Sequence, residues 1–176
     1  EANQYTIANE LKQVYGLLGA RGLNAFTSRD NTAYVVDIPS NQLAAWAVLE
    51  GDRFSNPVFR SFQTEVETVY EEKNRAMDNA SRQMYDAISA ALFTSHPYGR
   101  SVLGTIAHLK NPSISRMEDF YNKWYVPNNM AVILAGDFDS DEALALIKTH
   151  FGELEPRAIQ SEAFGEPPPL AGEISL

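Results

Sequence analysis

Hydrophobic positions recur at two periods along the chain, and the alternation between them sets out its elements. Between residues 3 and 18, Tyr5, Leu11, Val14, Tyr15 and Leu18 fall at helical spacing, and Gly19 and Gly22 then end that helix. Two short β-prone runs follow, Leu23–Ser28 and Thr32–Ile38, and the polar Arg29-Asp30-Asn31 between them predicts a hairpin. Pro39 closes it, and Ser40 or Asn41 is placed to cap a helix running to about Phe54. After the Asn56-Pro57 break, the pattern predicts a long helix over about 60–78. The next helix, over 81–94, carries Met84, Tyr85, Ile88, Leu92 and Phe93 on one face.

Residues 95–103 read as a loop broken by Pro97 and Gly99. A short helix near 104–110 and a longer one over about 113–124 come next. Pro127-Asn128-Asn129 then turns into Met130–Ala135, an apolar run that fits a strand buried on both faces. Gly136-Asp137-Phe138-Asp139 is a turn, with Asp139 or Ser140 capping a last helix to about Phe151 whose Leu144, Ile147 and Phe151 point inward. Many helices and few strands predict an α+β class, helices packed on a mostly antiparallel sheet. The domain occupies residues 1–154, and the Pro- and Glu-rich stretch 155–176 reads as an extended linker or tail.

Length and composition narrow the function classes. The 176 residues suit one domain, and 44% hydrophobic content supports a substantial core. A formal net charge of -9 and the lack of any basic run argue against nucleic acid and anionic membrane surfaces as partners. With no cysteine, disulfides, thiolate zinc sites and cysteine nucleophiles are excluded. No apolar run approaches the ~18 residues of a membrane span. The chain starts at Glu1 inside a helical pattern, which predicts a fragment or a processed chain.

The candidate chemistry centres on FQTEVETVYEEKN (62–74), where Glu65 and Glu72 stand seven residues apart. That spacing turns both carboxylates to one side of the helix, about 20° apart. Phe62, Val66, Val69, Tyr70 and Met77 form the expected buried stripe, Glu67 and Glu71 lie opposite, and Glu65 and Glu72 sit on its border. Lys73 falls inside the stripe and requires its ammonium to escape along a buried stem. By position alone, border glutamates are ordinarily structural or solvated, and a metal ligand with a supporting partner is the rarer case.

The ordered motifs favour the second reading. GLNAFTSRDNTAY (22–34), IPSNQLAAWAVLEGDRFSNPVF (38–59), EVETVYEE (65–72), HPYGR with Gly104 (96–104) and YVPNNMAVILAGDFD (125–139) follow one another across most of the chain. In this order the sequence resembles the first domain of the insulinase/pitrilysin/mitochondrial-processing-peptidase family of zinc peptidases. The resemblance implies a zinc site built from an H-x-x-E-H helix, with two histidine ligands and a general-base glutamate, and completed by a glutamate on a later helix. By motif, that later glutamate is Glu72, and Glu65 supports the site from behind. Asn24, Ala25 and Phe26 match the edge strand that pairs with the substrate backbone. The family chemistry is hydrolysis of a peptide bond by a metal-activated water. A peptide substrate, further domains of the parent chain and a periplasmic or cell-envelope location are implied with it.

One departure bears on this chain directly. Its histidines are His96, His108 and His150, and neither H-x-x-E-H nor H-E-x-x-H occurs. The family places the motif before the hairpin, hence upstream of Glu1. The expectation is therefore a fragment of a zinc endopeptidase that lacks the imidazole pair and the general base, binds zinc weakly or not at all alone and is inactive alone. The alternative is a non-catalytic family-like half that encloses peptide or scaffolds a partner subunit. His96, beside Pro97, is expected to be a hydrogen-bonding loop residue, and His108 and His150 are expected on exposed helix faces. GDFDSDE (136–142) lacks the glycine and terminal glutamate of a calcium loop, so turn plus helix cap is the reading. No nucleophile-elbow motif supports a serine triad around Ser95-His96.

Overall fold

The computed structural model describes residues 9–59, 62–159, 164 and 172. Residues 1–8 of the expected first helix and most of the expected linker beyond 159 lie outside the described residues. The elements in chain order are α1 (Glu10–Leu17), β1 (Arg21–Thr27), β2 (Thr32–Asp37), α2 (Leu43–Ser55), α3 (Phe62–Met77), α4 (Ala80–Leu92), α5 (Ile106–Lys110), α6 (Ile114–Trp124) and α7 (Ser140–Phe151). The class is α+β, as predicted, with one antiparallel pair of strands, β1 and β2, as the sheet among the described residues.

The chain resolves into two compact units. The first comprises Glu1–Phe26, Thr32–Ser61 and Ile114–Ile159, and the second Thr27–Asn31, Phe62–Ser113 and Gln160–Leu176.

In the first unit α2 packs along α7. Two alanines make the approach close: Ala47 and Ala143 are buried, and Gly51 lies against the His150 backbone. Trp46 and Phe151 cover one flank, with ring centroids 6.1 Å apart. α1 adds Tyr15, which is 1% exposed, and the helix stops where Gly19 takes φ +75, a left-handed conformation that Gly adopts without steric cost. A second cluster gathers Tyr34 of β2, Phe54 of α2, and Tyr121 and Tyr125 at the end of α6, with the Arg53 guanidinium over the Tyr34 ring at 4.6 Å.

In the second unit α3 packs on α4 and α5. Local capping fixes these helices. The Asn79 side chain accepts from Arg82 N–H at the start of α4, and Thr105 accepts from His108 N–H at the start of α5. Gly99 closes the HPYG turn, and a Cβ there would collide with the Phe93 carbonyl.

Several expectations are corrected. Met130–Ala135 is not a strand; it is irregular, and Ile133 is 86% exposed. Apolar character alone cannot make a strand, because a ladder needs a neighbour, and among the described residues β1 and β2 pair with each other only. Neither Ser40 nor Asn41 caps α2. A 3-10 turn over Ser40–Gln42 precedes the helix, and Gln42 offers no side-chain cap. On α7, Leu144 points to solvent and Ala143 is buried instead, because Ala143 shares a helix face with His150, which packs on Gly51. The α3 stripe is only half-buried, with Met77 exposed, since α4 and α5 cover one side of the helix. His150 is half-buried through the same contact with Gly51, not exposed. Asp139 caps α7 as predicted, accepting from Asp141 and Glu142 N–H at 3.0 and 2.9 Å, which is the turn-and-cap reading of GDFDSDE.

Candidate functional site: a carboxylate pair and an open strand edge

Within the second unit, Glu65 and Glu72 project from α3 with exposed side chains. Seven residues of helix separate their backbones by about 10 Å along the axis. Neither forms a hydrogen bond or ion pair with any described residue. Their neighbour Lys73 is half-buried and extends its Nζ to Ser101 Oγ at 3.4 Å. Neither Lys73 nor any other described cation forms an ion pair with Glu72. An unpaired carboxylate on a rigid helix has the chemistry of a hard metal ligand. The rest of a zinc site is not assembled here, since no three His, Asp or Glu side chains converge among the described residues.

His96 Nδ1 accepts from Tyr98 N–H at 3.2 Å, and the ring lies edge-on to Tyr98 and Phe164. That is the hydrogen-bonding loop role expected of it. His108 lies on exposed α5.

In the first unit Asn24, Ala25 and Phe26 lie on β1, all exposed. The register explains which of their backbone groups are free. Ser28 N–H donates to Asn31 O at 2.7 Å, and antiparallel alternation then pairs Phe26 with Ala33, Asn24 with Val35 and Gly22 with Asp37. A Cβ added at Gly22 would sit 3.3 Å from Asp37 Oδ2, in agreement with that count. The N–H and C=O of Leu23 and Ala25 therefore face the other edge, where no strand lies among the described residues. Ala25 N–H is held there by the Asn24 side chain, Oδ1 at 2.9 Å. The edge donor is occupied by a bond that an incoming carbonyl can replace.

Motif reading alone missed a groove of about 440 Å³ in the second unit, between the hairpin tip, α4 and the loop after HPYG. It is lined by Ser28, Arg29, Asp30, Arg82, Tyr85, Asp86, Arg100, Ser101 and Val102. Arg29 donates to the buried Ser89 hydroxyl at 2.9 Å and lies over Tyr98 and Tyr85 at 5.1 and 5.4 Å. Tyr98 O–H donates to the Asp30 carboxylate at 2.6 Å, and that bond holds its own pKa above the ordinary phenol value. The signal was present in RDN and HPYGR, which sequence reading treated as a turn and a landmark.

Among the described residues, then, α3 carries an unpaired carboxylate pair and β1 leaves one edge without a strand. The insulinase (peptidase family M16) model matches residues 2–106, and the model of the peptidase M16 inactive domain matches residues 113–175. The chain belongs to the insulinase family of zinc proteases. It is 31% identical over 156 residues to an uncharacterized zinc protease of Mycobacterium leprae, an alignment covering 88% of this chain and 35% of that protein. The crystal structure of a protease from Helicobacter pylori superposes with a TM-score of 0.80 at 25% identity, over 90% of this chain and 40% of that one. The periplasmic protease PqqL of Escherichia coli gives 0.75 at 27% identity, over 89% of this chain and 18% of that one. The chain thus spans well under half of each relative. No helix among the described residues is long and apolar enough to cross a membrane.

Proposed function

We propose that this chain is part of a zinc-dependent endopeptidase, in which Glu72 is a metal ligand, Glu65 steadies it, and Asn24–Phe26 present an edge for the substrate backbone. The supporting observation is that Glu65 and Glu72 lie along one exposed face of α3 without ion pairs among the described residues, in a member of a zinc-protease family. Zinc with an open coordination position makes its bound water acidic near neutral pH. The two histidines and the general base that such chemistry needs come from parts of the protein outside this chain, so the chain alone is inactive and holds zinc weakly or not at all. The carboxylate of Glu72 contributes charge and a fixed position. The β1 edge contributes backbone bonds that align a peptide. Residues 1–154 act as a partial peptidase domain and 155–176 lead toward the remaining domains. The periplasm or cell envelope is the proposed location, following the periplasmic relative.

A second reading is a non-catalytic family-like half, and the match of residues 113–175 to the peptidase M16 inactive domain supports it. One experiment separates the two. In the full-length protein, Glu72→Gln should lower zinc content and peptide cleavage together, whereas Glu65→Gln should cost about 10–100-fold in affinity or activity and less in metal content. Full zinc and full activity in the Glu72 variant would overturn the assignment. A full-length protein with neither metal nor activity would establish the non-catalytic reading.

A further inference from the structure

We infer that the groove between the hairpin tip, α4 and the loop after HPYG is a binding site for a single carboxylate carried by a peptide. Three arginines and two aspartates line it, Arg29, Arg82 and Arg100 against Asp30 and Asp86, so its formal charge is +1 in a chain whose total is -9. Four of these five charges are already engaged. Arg29 is fixed by Ser89 and by the aromatic rings, Asp30 accepts from Tyr98 O–H, and Arg82 Nε pairs with Asp86 Oδ1 at 3.2 Å. Arg100 is the exception: its guanidinium is exposed and makes no hydrogen bond or ion pair among the described residues.

That arrangement selects among anions. A guanidinium offers two parallel N–H donors to a carboxylate, and Arg29 and Arg82 raise the local potential without moving to meet it. A dianionic phosphate would leave the groove with net negative charge beside Asp30 and Asp86, whereas one carboxylate neutralises the surplus. The Tyr85 ring and Val102 provide an apolar wall for the methylene groups that carry the acid. A glutamate or aspartate side chain and a C-terminal carboxylate share this chemistry. Only the choice of a peptide as carrier rests on the peptidase reading above.

The test measures anisotropy of rhodamine-labelled peptides with the full-length protein, and cleavage of the same peptides separately. Three matched peptides are used: one with a single internal Glu and an amidated end, its Gln counterpart, and the Gln peptide with a free C-terminal carboxylate. The expected result is about fivefold tighter binding of one or both acid-bearing peptides than of the amidated Gln peptide. Which one gains identifies the source of the carboxylate. The preference should vanish in Arg100→Gln, survive in part in Arg100→Lys, and shrink with added salt. Arg100 is exposed, so these variants are expected to keep the wild-type melting temperature. Equal binding of all three peptides, no binding of any, or a preference that persists in Arg100→Gln would overturn the assignment. Cleavage of all three without discrimination in binding removes the groove site and leaves the peptidase reading intact. Discrimination in binding with no cleavage does the reverse.

Discussion

Tyr15 and Glu50, 35 residues apart in sequence, meet in the interior of the first unit, where the Tyr15 hydroxyl donates to Glu50 Oε1. Glu50 is 5% exposed, and its other oxygen pairs with Arg53. A buried carboxylate is tolerated only while charged or hydrogen-bonded partners surround it. Tyr15→Phe removes one partner and should destabilise by about 1–3 kcal/mol. Glu50→Ala strands both Tyr15 and the Arg53 guanidinium and should cost about 3–5 kcal/mol. Urea unfolding of the two variants checks the order, and equal losses would show that Arg53 is not held by this carboxylate.

Gly51 sets how closely α2 approaches α7. A Cβ built there lies 2.5 Å from His150 O and 2.8 Å from His150 Cβ. Backbone cannot yield as a flexible side-chain end can, so Gly51→Ala forces the helices apart. The gain in helix propensity, about 1 kcal/mol, opposes an overpacking cost of about 1–3 kcal/mol. A net loss of stability in thermal unfolding is expected. Gly16, which has nothing within 4 Å of its added Cβ, is the control: Gly16→Ala should stabilise.

Alkaline pH should weaken the aromatic cluster. Burial and the neighbouring Tyr125 push the Tyr121 phenol up to about 12, and burial with the Tyr125 hydrogen bond raises Tyr34 further. Each group binds its proton more tightly when folded than the ordinary value of about 10 allows when unfolded. Their stabilisation is therefore complete below about pH 10 and is lost as pH rises through the folded values. Unfolding free energy should fall between about pH 10 and 12, and Tyr121→Phe should flatten that fall. An unchanged pH profile in the variant would remove Tyr121 from the account.

The legible parts of the fold were those whose cause is local. Asp139 caps α7, and Gly19 ends α1, because side-chain reach and backbone freedom act over three or four residues. The misread parts depend on what lies opposite. Met130–Ala135 has a strand's composition but no ladder partner among the described residues, and Leu144 gave way to Ala143 because α7 turns toward α2 the face that carries His150. The candidate site divides the same way. The spacing of Glu65 and Glu72 was readable as one face of a helix, whereas the Arg29 groove arises from three segments, 28–30, 82–86 and 100–102, that no single motif contains. The Asn24 side chain on Ala25 N–H could have been anticipated, since Asn commonly bonds nearby backbone.

The hairpin register separates two substitutions that look equivalent in sequence. Ala25 N–H faces the outer edge, while Phe26 N–H faces β2 by the alternation that starts at Ser28 and Asn31. Proline at either site deletes one donor, but from opposite sides of the strand. In the full-length protein, Ala25→Pro should leave the hairpin and the zinc content near normal while impairing peptide cleavage, if an incoming strand uses this edge as proposed. Phe26→Pro should break the β1–β2 ladder itself and lower stability as well as cleavage. Asn24→Ala offers an independent check, because it frees Ala25 N–H for the substrate without altering the ladder. It should leave cleavage intact or raise it, and lower KM if the Asn24 bond competes with substrate. Unaltered kinetics in Ala25→Pro, with intact folding by circular dichroism, would show that the peptide does not pair with this edge.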